Sequence, residues 1–221
     1  MKDLTIIFLT FNRVAPKWAE YHKEKLIEAI GDTSVITISR EPLNWGTNLL
    51  QTEYSVRNVY TQILRGAKLA VTPYIAIAED DTLYPKEHFQ FRPPMDKFAY
   101  NVNRWGLFTW GRGTYFSKPR IATGLMIAPR GLVISSLEKK LEFSSGEISG
   151  RNARELGYRT ANTIEFTTEY PVVCVSHPRS LDPLSQRARK KLGPVQRFDL
   201  PPWGNAKQLV SRFCEGYDQV V

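Results

Sequence analysis

The chain has 221 residues, 42% hydrophobic and 24% charged, an ordinary composition for a soluble globular domain with a full core. No apolar run approaches the roughly 20 residues that cross a bilayer. The opening apolar stretch 4–9 is too short for a signal peptide and has no cleavage site behind it, so a cytoplasmic location is expected. Cys174 and Cys214 sit in no metal-type spacing and read as reduced thiols.

The net charge of +8 is unevenly spread. Residues 1–91 carry 10 Lys and Arg against 11 Asp and Glu, whereas residues 92–221 carry 20 against 11. A single-sign field of that kind attracts anions such as phosphodiesters or anionic lipid surfaces.

In chain order, the β-branched run 4–9 reads as a buried strand ended by Thr10, Phe11 and Asn12. Pro16 suits a first helical position, and Trp18, Tyr21, Leu26, Ala29 and Ile30 share one face of the helix that Gly31 closes. A short strand is expected over 35–38. A longer helix over 52–70 has Val56, Val59, Tyr60, Ile63, Ala67 and Ala70 on its inner face. A third buried strand over 74–78 runs straight into Glu79-Asp80-Asp81. Strand and helix in alternation predict an α/β fold with an open, mostly parallel sheet. Ligands of such sheets bind at the carboxyl ends of the strands, where Asn12, Arg13 and the three acids all fall.

Beyond residue 91 the pattern is less regular. The aromatic stretch 98–116 reads as loops with short strands. A strand is expected over 121–129, helices over 131–141 and 148–156, and a strand over 172–175 ending at Ser176-His177. From residue 184 the chain is basic and proline-bearing, and is expected to be partly mobile. One domain is expected, with halves at about 1–91 and 92–183 and an extension over 184–221.

Three consecutive acids can be a solvated turn. Their mutual repulsion at a strand end is also relieved by a hard cation, Mn²⁺ or Mg²⁺, which takes carboxylate oxygens, with phosphate oxygens and water completing the shell.

Several motifs together resemble GT-A-fold glycosyltransferases, in particular the large inverting family that includes many polysaccharide enzymes. The strand 4–9 with Thr10-Phe11-Asn12-Arg13 is similar to that family's opening strand and turn. Ser55-Val56-Arg57-Asn58 resembles its Ala-Arg-Asn signature. Residues 74–81 resemble the strand bearing the DXD motif, here Glu79-Asp80-Asp81. The segments 123–130 and 147–159 are similar to the acceptor-side strand and the catalytic helix ending in Gly-Tyr. The resemblance covers residues 4–180. It implies a nucleotide-sugar donor, with UDP-sugar expected, and metal bound by Asp81, Glu79 and His177. Thr10, Phe11, Asn12, Arg13, Arg57, Glu79 and Asp80 would contact the donor.

Two departures stand out. The catalytic helix of the family opens Glu-Asp, but here reads Glu147-Ile148. Glu147 is therefore the candidate general base, and equally a residue of an N-terminal cap with Ser144 and Ser145. Arg40 or Glu41 stands where the family has an acidic base-reading segment.

Between residues 92 and 130 there are seven basic residues and one acid, interleaved with aromatics that either pack a small core or stack on bases and sugars. Trp105, Trp110, Arg112 and Arg130 are the candidate acceptor contacts. The acceptor is expected to be polyanionic, with two versions. One is a hydroxymethylated base in DNA, flipped out or unpaired. The other is a lipid-linked sugar or polysaccharide at a membrane face. The lack of an amphipathic anchor helix favours nucleic acid. Two rivals are a nucleic-acid-binding module without chemistry and a nucleotidyltransferase. The second needs a glycine-rich phosphate loop, which Thr10-Phe11-Asn12-Arg13 does not supply.

Overall fold

The computed structural model describes residues 1–110, 113–143, 146, 148, 153–177, 179 and 195–214. In chain order its elements are β1 (Leu4–Leu9), α1 (Pro16–Ile30), β2 (Ser34–Ser39), β3 (Thr47–Leu50), α2 (Val56–Leu69), β4 (Tyr74–Glu79) and β5 (Thr82–Leu83). Then come β6 (Phe98–Asn101), β7 (Arg104–Phe108), β8 (Tyr115–Ser117), β9 (Met126–Pro129), α3 (Arg130–Glu142), β10 (Thr163–Phe166) and β11 (Val172–Ser176). The chain closes with β12 (Gln196–Arg197), β13 (Asp199–Leu200), β14 (Gly204–Asn205) and α4 (Ala206–Cys214).

The main sheet has seven strands in the order β10-β6-β9-β4-β1-β2-β3. β1 is parallel to both β2 and β4, and β9 is antiparallel to β4 and β6. Its central strands are covered on both faces. Ile7, Ile75 and Ile77 join the core under α2 and α3, while Leu4, Ile6, Phe8, Ala76 and Ala78 join the core under α1. That is why β1 and β4 read as unbroken apolar runs. Each fully buried Ile or Leu there stabilises the fold by about 1.5–3 kcal/mol.

Helix ends follow from single residues. Pro16 stands in the first turn of α1, and Gly31, at φ +56°, ends it with its N–H on the Ile27 carbonyl at 2.8 Å. Ser55 caps α2 by accepting from the Asn58 N–H at 3.0 Å, so the helix starts at Val56 and not at 52. Its buried face also differs from expectation. Tyr60, Ile63, Ala67 and Ala70 are buried and Val56 and Val59 pack partly buried against the same core, but Asn58 and Gln62 are buried as well, Gln62 donating to Asn58 at 2.6 Å and Asn58 to Gln51 at 2.8 Å. Gly66 lets α2 approach Ile7, where a Cβ would come within 2.9 Å of the isoleucine Cγ2.

A second sheet, β12-β8-β7-β11-β5, was not anticipated. It takes up much of the aromatic stretch. Phe98, Tyr100, Trp105, Phe108, Tyr115 and Phe116 are all buried, so these rings mainly build core. The expected strand over 121–129 is shorter, a turn at Thr123–Leu125 followed by β9. Of the helix expected over 148–156, residues 149–152 lie outside the described residues and 153–156 are not α-helical. The tail also differs from expectation. Residues 184–194 lie outside the described residues, but α4 packs Ala206, Leu209 and Phe213 into the third core cluster beside Trp18 and Tyr115. No described helix is long and apolar enough to cross a membrane.

Candidate active site

The carboxyl ends of β1, β2 and β4 meet at one edge of the sheet, and parallel register places Leu9 opposite Glu79. The turn after β1 is bound to its neighbours. Asn12, at φ +53° where a short amide side chain is tolerated, accepts from the Arg40 and Glu41 N–H groups at 2.9 and 3.2 Å. The Thr10 hydroxyl bonds the Asp80 carboxylate. Phe11 packs edge-on to Tyr54 at 4.8 Å, and the Arg13 guanidinium lies 3.8 Å over the same ring.

A cleft of about 290 Å³ opens at this edge, lined by Phe11, Arg13, Glu79, Asp80, Asp81, Arg104, Lys118, Cys174, His177 and Arg179 among others. Glu79 ends β4, its N–H donating to the Tyr84 hydroxyl at 3.0 Å. Asp81 accepts from the Thr82 hydroxyl at 3.1 Å, and its other oxygen lies 3.8 Å from His177 Nε2.

Burial and the neighbouring Asp81 charge push Glu79 up to about 8 and Asp80 up to about 7, and burial lifts Asp81 to about 6. The Thr10 hydrogen bond opposes the rise at Asp80, as Arg104 does at Glu79 and Asp81. A quarter of the Asp81 side chain reaches solvent, which moderates its share. Burial, reinforced by Arg179, lowers His177 to about 4. It is therefore neutral at pH 7, the state in which imidazole ligates a metal. Among the described residues no three His, Cys, Asp or Glu side chains converge tightly enough to hold a metal by themselves. Asp81 and His177 supply two donors, and Mg²⁺ or Mn²⁺ commonly takes only one or two carboxylates before phosphate and water complete its shell. The donor set fits such a cation.

The structure brings Phe11, Arg13, Glu79, Asp80, Asp81 and His177 into one cleft, with Thr10 and Asn12 shaping its wall. Other sequence candidates fall elsewhere. Arg57 reaches the Leu141 carbonyl at 3.2 Å and the Gly146 carbonyl at 3.4 Å, tying α2 to the end of α3. Trp105 is buried in the third core cluster with the Arg197 guanidinium 5.5 Å over its ring. Trp110 packs on Phe108 at 5.0 Å. Arg130 opens α3 with its N–H on the Pro73 carbonyl, at the end of β4 opposite the acids, because β9 runs antiparallel to β4. Glu147 and Arg112 lie outside the described residues.

Sequence reasoning missed Arg104, Lys118 and Arg179. Arg104 opens β7, its Nε donating to Cys174 Sγ at 3.2 Å, and reaches the cleft because β7 pairs with β11 in parallel. No local spacing encodes that pairing. Cys174 is a free cysteine among the described side chains.

No protein-family model matches the chain, and no curated protein is significantly similar to it. Solved structures are similar in fold. A glycosyltransferase involved in the glycosylation of the major capsid of PBCV-1 superposes with TM-score 0.50 at 14% identity, over 77% of this chain and 92% of that one. S. aureus TarS 1–349, in complex with UDP-GlcNAc, gives 0.51 at 10% identity, over 81% and 60%. The glycosyltransferase GlyE of Streptococcus pneumoniae TIGR4 gives 0.50 at 8%, over 75% and 45%. With its mostly parallel sheet flanked by helices and its cleft at the strand ends, the chain has a GT-A-like fold, the one these structures share.

Proposed function

We propose that this protein is a metal-dependent glycosyltransferase that moves a sugar from a nucleotide-sugar, a UDP-sugar in our reading, to an acceptor hydroxyl. One observation carries the reading. A turn of three acids with a neutral histidine lines one cleft at the strand ends together with Arg13, Arg104, Lys118 and Arg179. Acids and a histidine suit a cation, and flanking cations suit a diphosphate.

In this reading Asp81 and His177 hold Mn²⁺ or Mg²⁺, with Glu79 facing the metal or the donor ribose and Asp80 orienting them. The metal supplies charge neutralisation for the departing diphosphate. Arg104, Lys118 and Arg179 pair with phosphate oxygens, and Phe11, Tyr54 and Arg13 form the wall that receives the nucleobase. Glu147 accepts the acceptor's proton. The new bond to the anomeric carbon forms as the bond to the diphosphate oxygen breaks, the electron pair leaving with the diphosphate, through an oxocarbenium-like state with inversion. Product stereochemistry by NMR tests this last point, and retention would overturn it.

The acceptor is proposed to be polyanionic, either a hydroxymethylated base in DNA or a lipid-linked sugar at a membrane face. Its support is the positive excess over residues 92–221. Stacking on the aromatic stretch supports it less, since most of those rings are buried.

Thermal shift with UDP and UDP-sugars, with and without Mn²⁺, tests the donor site. A ligand at about 100 times its Kd stabilises by roughly 2.7 kcal/mol, a rise of about 5–10 °C for a chain of this size. Asp81→Ala is expected to abolish the metal-dependent part. If no nucleotide gives a metal-dependent shift, the proposal fails.

A further inference from the structure

Three successive carbonyls, those of Asp80 and Asp81 in the acid turn and of Thr82 just after it, are each bound by a donor from elsewhere in the fold. The Asp80 carbonyl accepts from Trp18 Nε1–H at 2.7 Å, and the Asp81 carbonyl from the Val175 N–H at 2.8 Å. The Thr82 carbonyl lies 2.7 Å from His22 Nε2. A carbonyl only accepts, so Nε2 carries the imidazole proton. Trp18 and His22 stand four residues apart on one face of α1, at 0% and 1% exposure. Core packing alone needs only an apolar stripe there, yet both positions carry a ring N–H aimed at the turn.

The geometry has a direct consequence. The Asp80 and Asp81 carbonyls belong to the two rigid peptide planes that flank the Asp81 Cα. Pinning both planes, through Trp18 and Val175, sets its φ and ψ and thereby the direction of its Cα–Cβ bond, and His22 holds the next plane along, that of the Thr82 carbonyl, so that the chain leaving Asp81 is fixed as well. α4 braces the arrangement from behind. The Phe213 ring lies 4.6 Å from Trp18 and 5.1 Å from His177, so one residue of the C-terminal helix touches both the indole that holds Asp80 and the imidazole that faces Asp81.

We propose that Trp18, His22 and Phe213 are positioning residues that fix the backbone from which Asp81 presents its carboxylate to the cleft, making α4 a working part of the site. What that carboxylate then holds rests on the glycosyltransferase reading.

Amide hydrogen exchange over residues 79–84 and Mn²⁺ affinity by calorimetry in the presence of UDP provide two separate readouts. Trp18→Phe keeps an aromatic ring but loses the N–H, and His22→Leu loses its donor, whereas His22→Gln retains an amide donor. Ile63→Val, in the core under α2, controls for general loss of stability. Trp18→Phe and His22→Leu are expected to speed exchange over 79–84 at least tenfold relative to the control and to weaken Mn²⁺ binding about tenfold. His22→Gln should restore most of both, and Phe213→Leu should weaken Mn²⁺ binding severalfold. Exchange over 79–84 that matches the control in Trp18→Phe and His22→Leu overturns the clamp, and Phe213→Leu indistinguishable from wild type in both readouts overturns the role of α4. Faster exchange in a protein whose wild type binds no Mn²⁺ would uphold the clamp while removing the glycosyltransferase reading.

Discussion

Gly124 shows how tightly the acids are boxed. A Cβ at that position would fall on the Glu79 carboxylate oxygen. The neighbour is the far end of a side chain and not backbone, so Gly124→Ala moves the carboxylate and leaves the sheet in place. Turnover should fall at least about tenfold, near 1.4 kcal/mol in the barrier. Overpacking costs about 1–3 kcal/mol, so Tm should fall by roughly 2–12 °C while the protein stays folded at 25 °C. Calorimetry and initial rates on one preparation separate the two, and a fully active Gly124→Ala protein would show that Glu79 has no fixed task. At this scale the acids, the turn after β1 and His177 were readable as residues, because each follows directly on a strand. Arg57 and Arg130 were not placeable, because a side chain's direction depends on the helix face and strand polarity it inherits.

At the scale of elements, α2 carries the clearest local signal. The hydrogen bond from the Asn58 N–H to Ser55 starts the helix that covers one face of the main sheet. Ser55→Ala is expected to cost about 1 kcal/mol, a fall of roughly 2–4 °C in Tm, with donor binding unchanged because Ser55 does not line the cleft. A drop in donor affinity without that thermal effect would contradict the assignment. β1, β2, β4 and α1 were legible for the same reason, as apolar period and end residues agree. β3 was not, because Thr47–Leu50 is short and half polar, and its place depends on Asn48 bonding Thr37 and Ser39. α4 was hidden by its basic surface, although Ala206, Leu209 and Phe213 repeat at helical spacing.

At the scale of the whole molecule, two sets of groups shifted by desolvation pull the pH dependence of stability in opposite directions. Glu79, Asp80 and Asp81 titrate at about 8, 7 and 6 in the folded chain, above the ordinary carboxylate range. Their contribution is full at low pH and lost as pH rises through those values. His22 and His177 at about 4 and His88 at about 3 are lowered by burial. Their contribution is present above about pH 6.5 and lost as pH falls toward the folded values. Between about pH 4 and 6.5 the two trends offset. Above that only the acids act, so the metal-free Tm should decline from pH 6.5 to 8.5. Saturating Mn²⁺ should flatten the decline by taking the place of protons among the carboxylates. Scanning calorimetry across that range checks both statements, and a metal-free Tm that does not fall would mean the acids are better solvated than their burial implies.

The order of amino acids by itself determined the alternation of strand and helix, the buried character of β1 and β4, and the arrival of three acids at a strand end. These are local, since apolar period and chain direction are written in neighbouring residues. Tertiary structure alone decided that β7 and β11 lie side by side, bringing Arg104 and His177 to the acids. It likewise decided that the aromatic stretch is mainly core and that α4 closes behind Trp18. Those outcomes depend on pairings between segments tens of residues apart, whose energies no single segment carries.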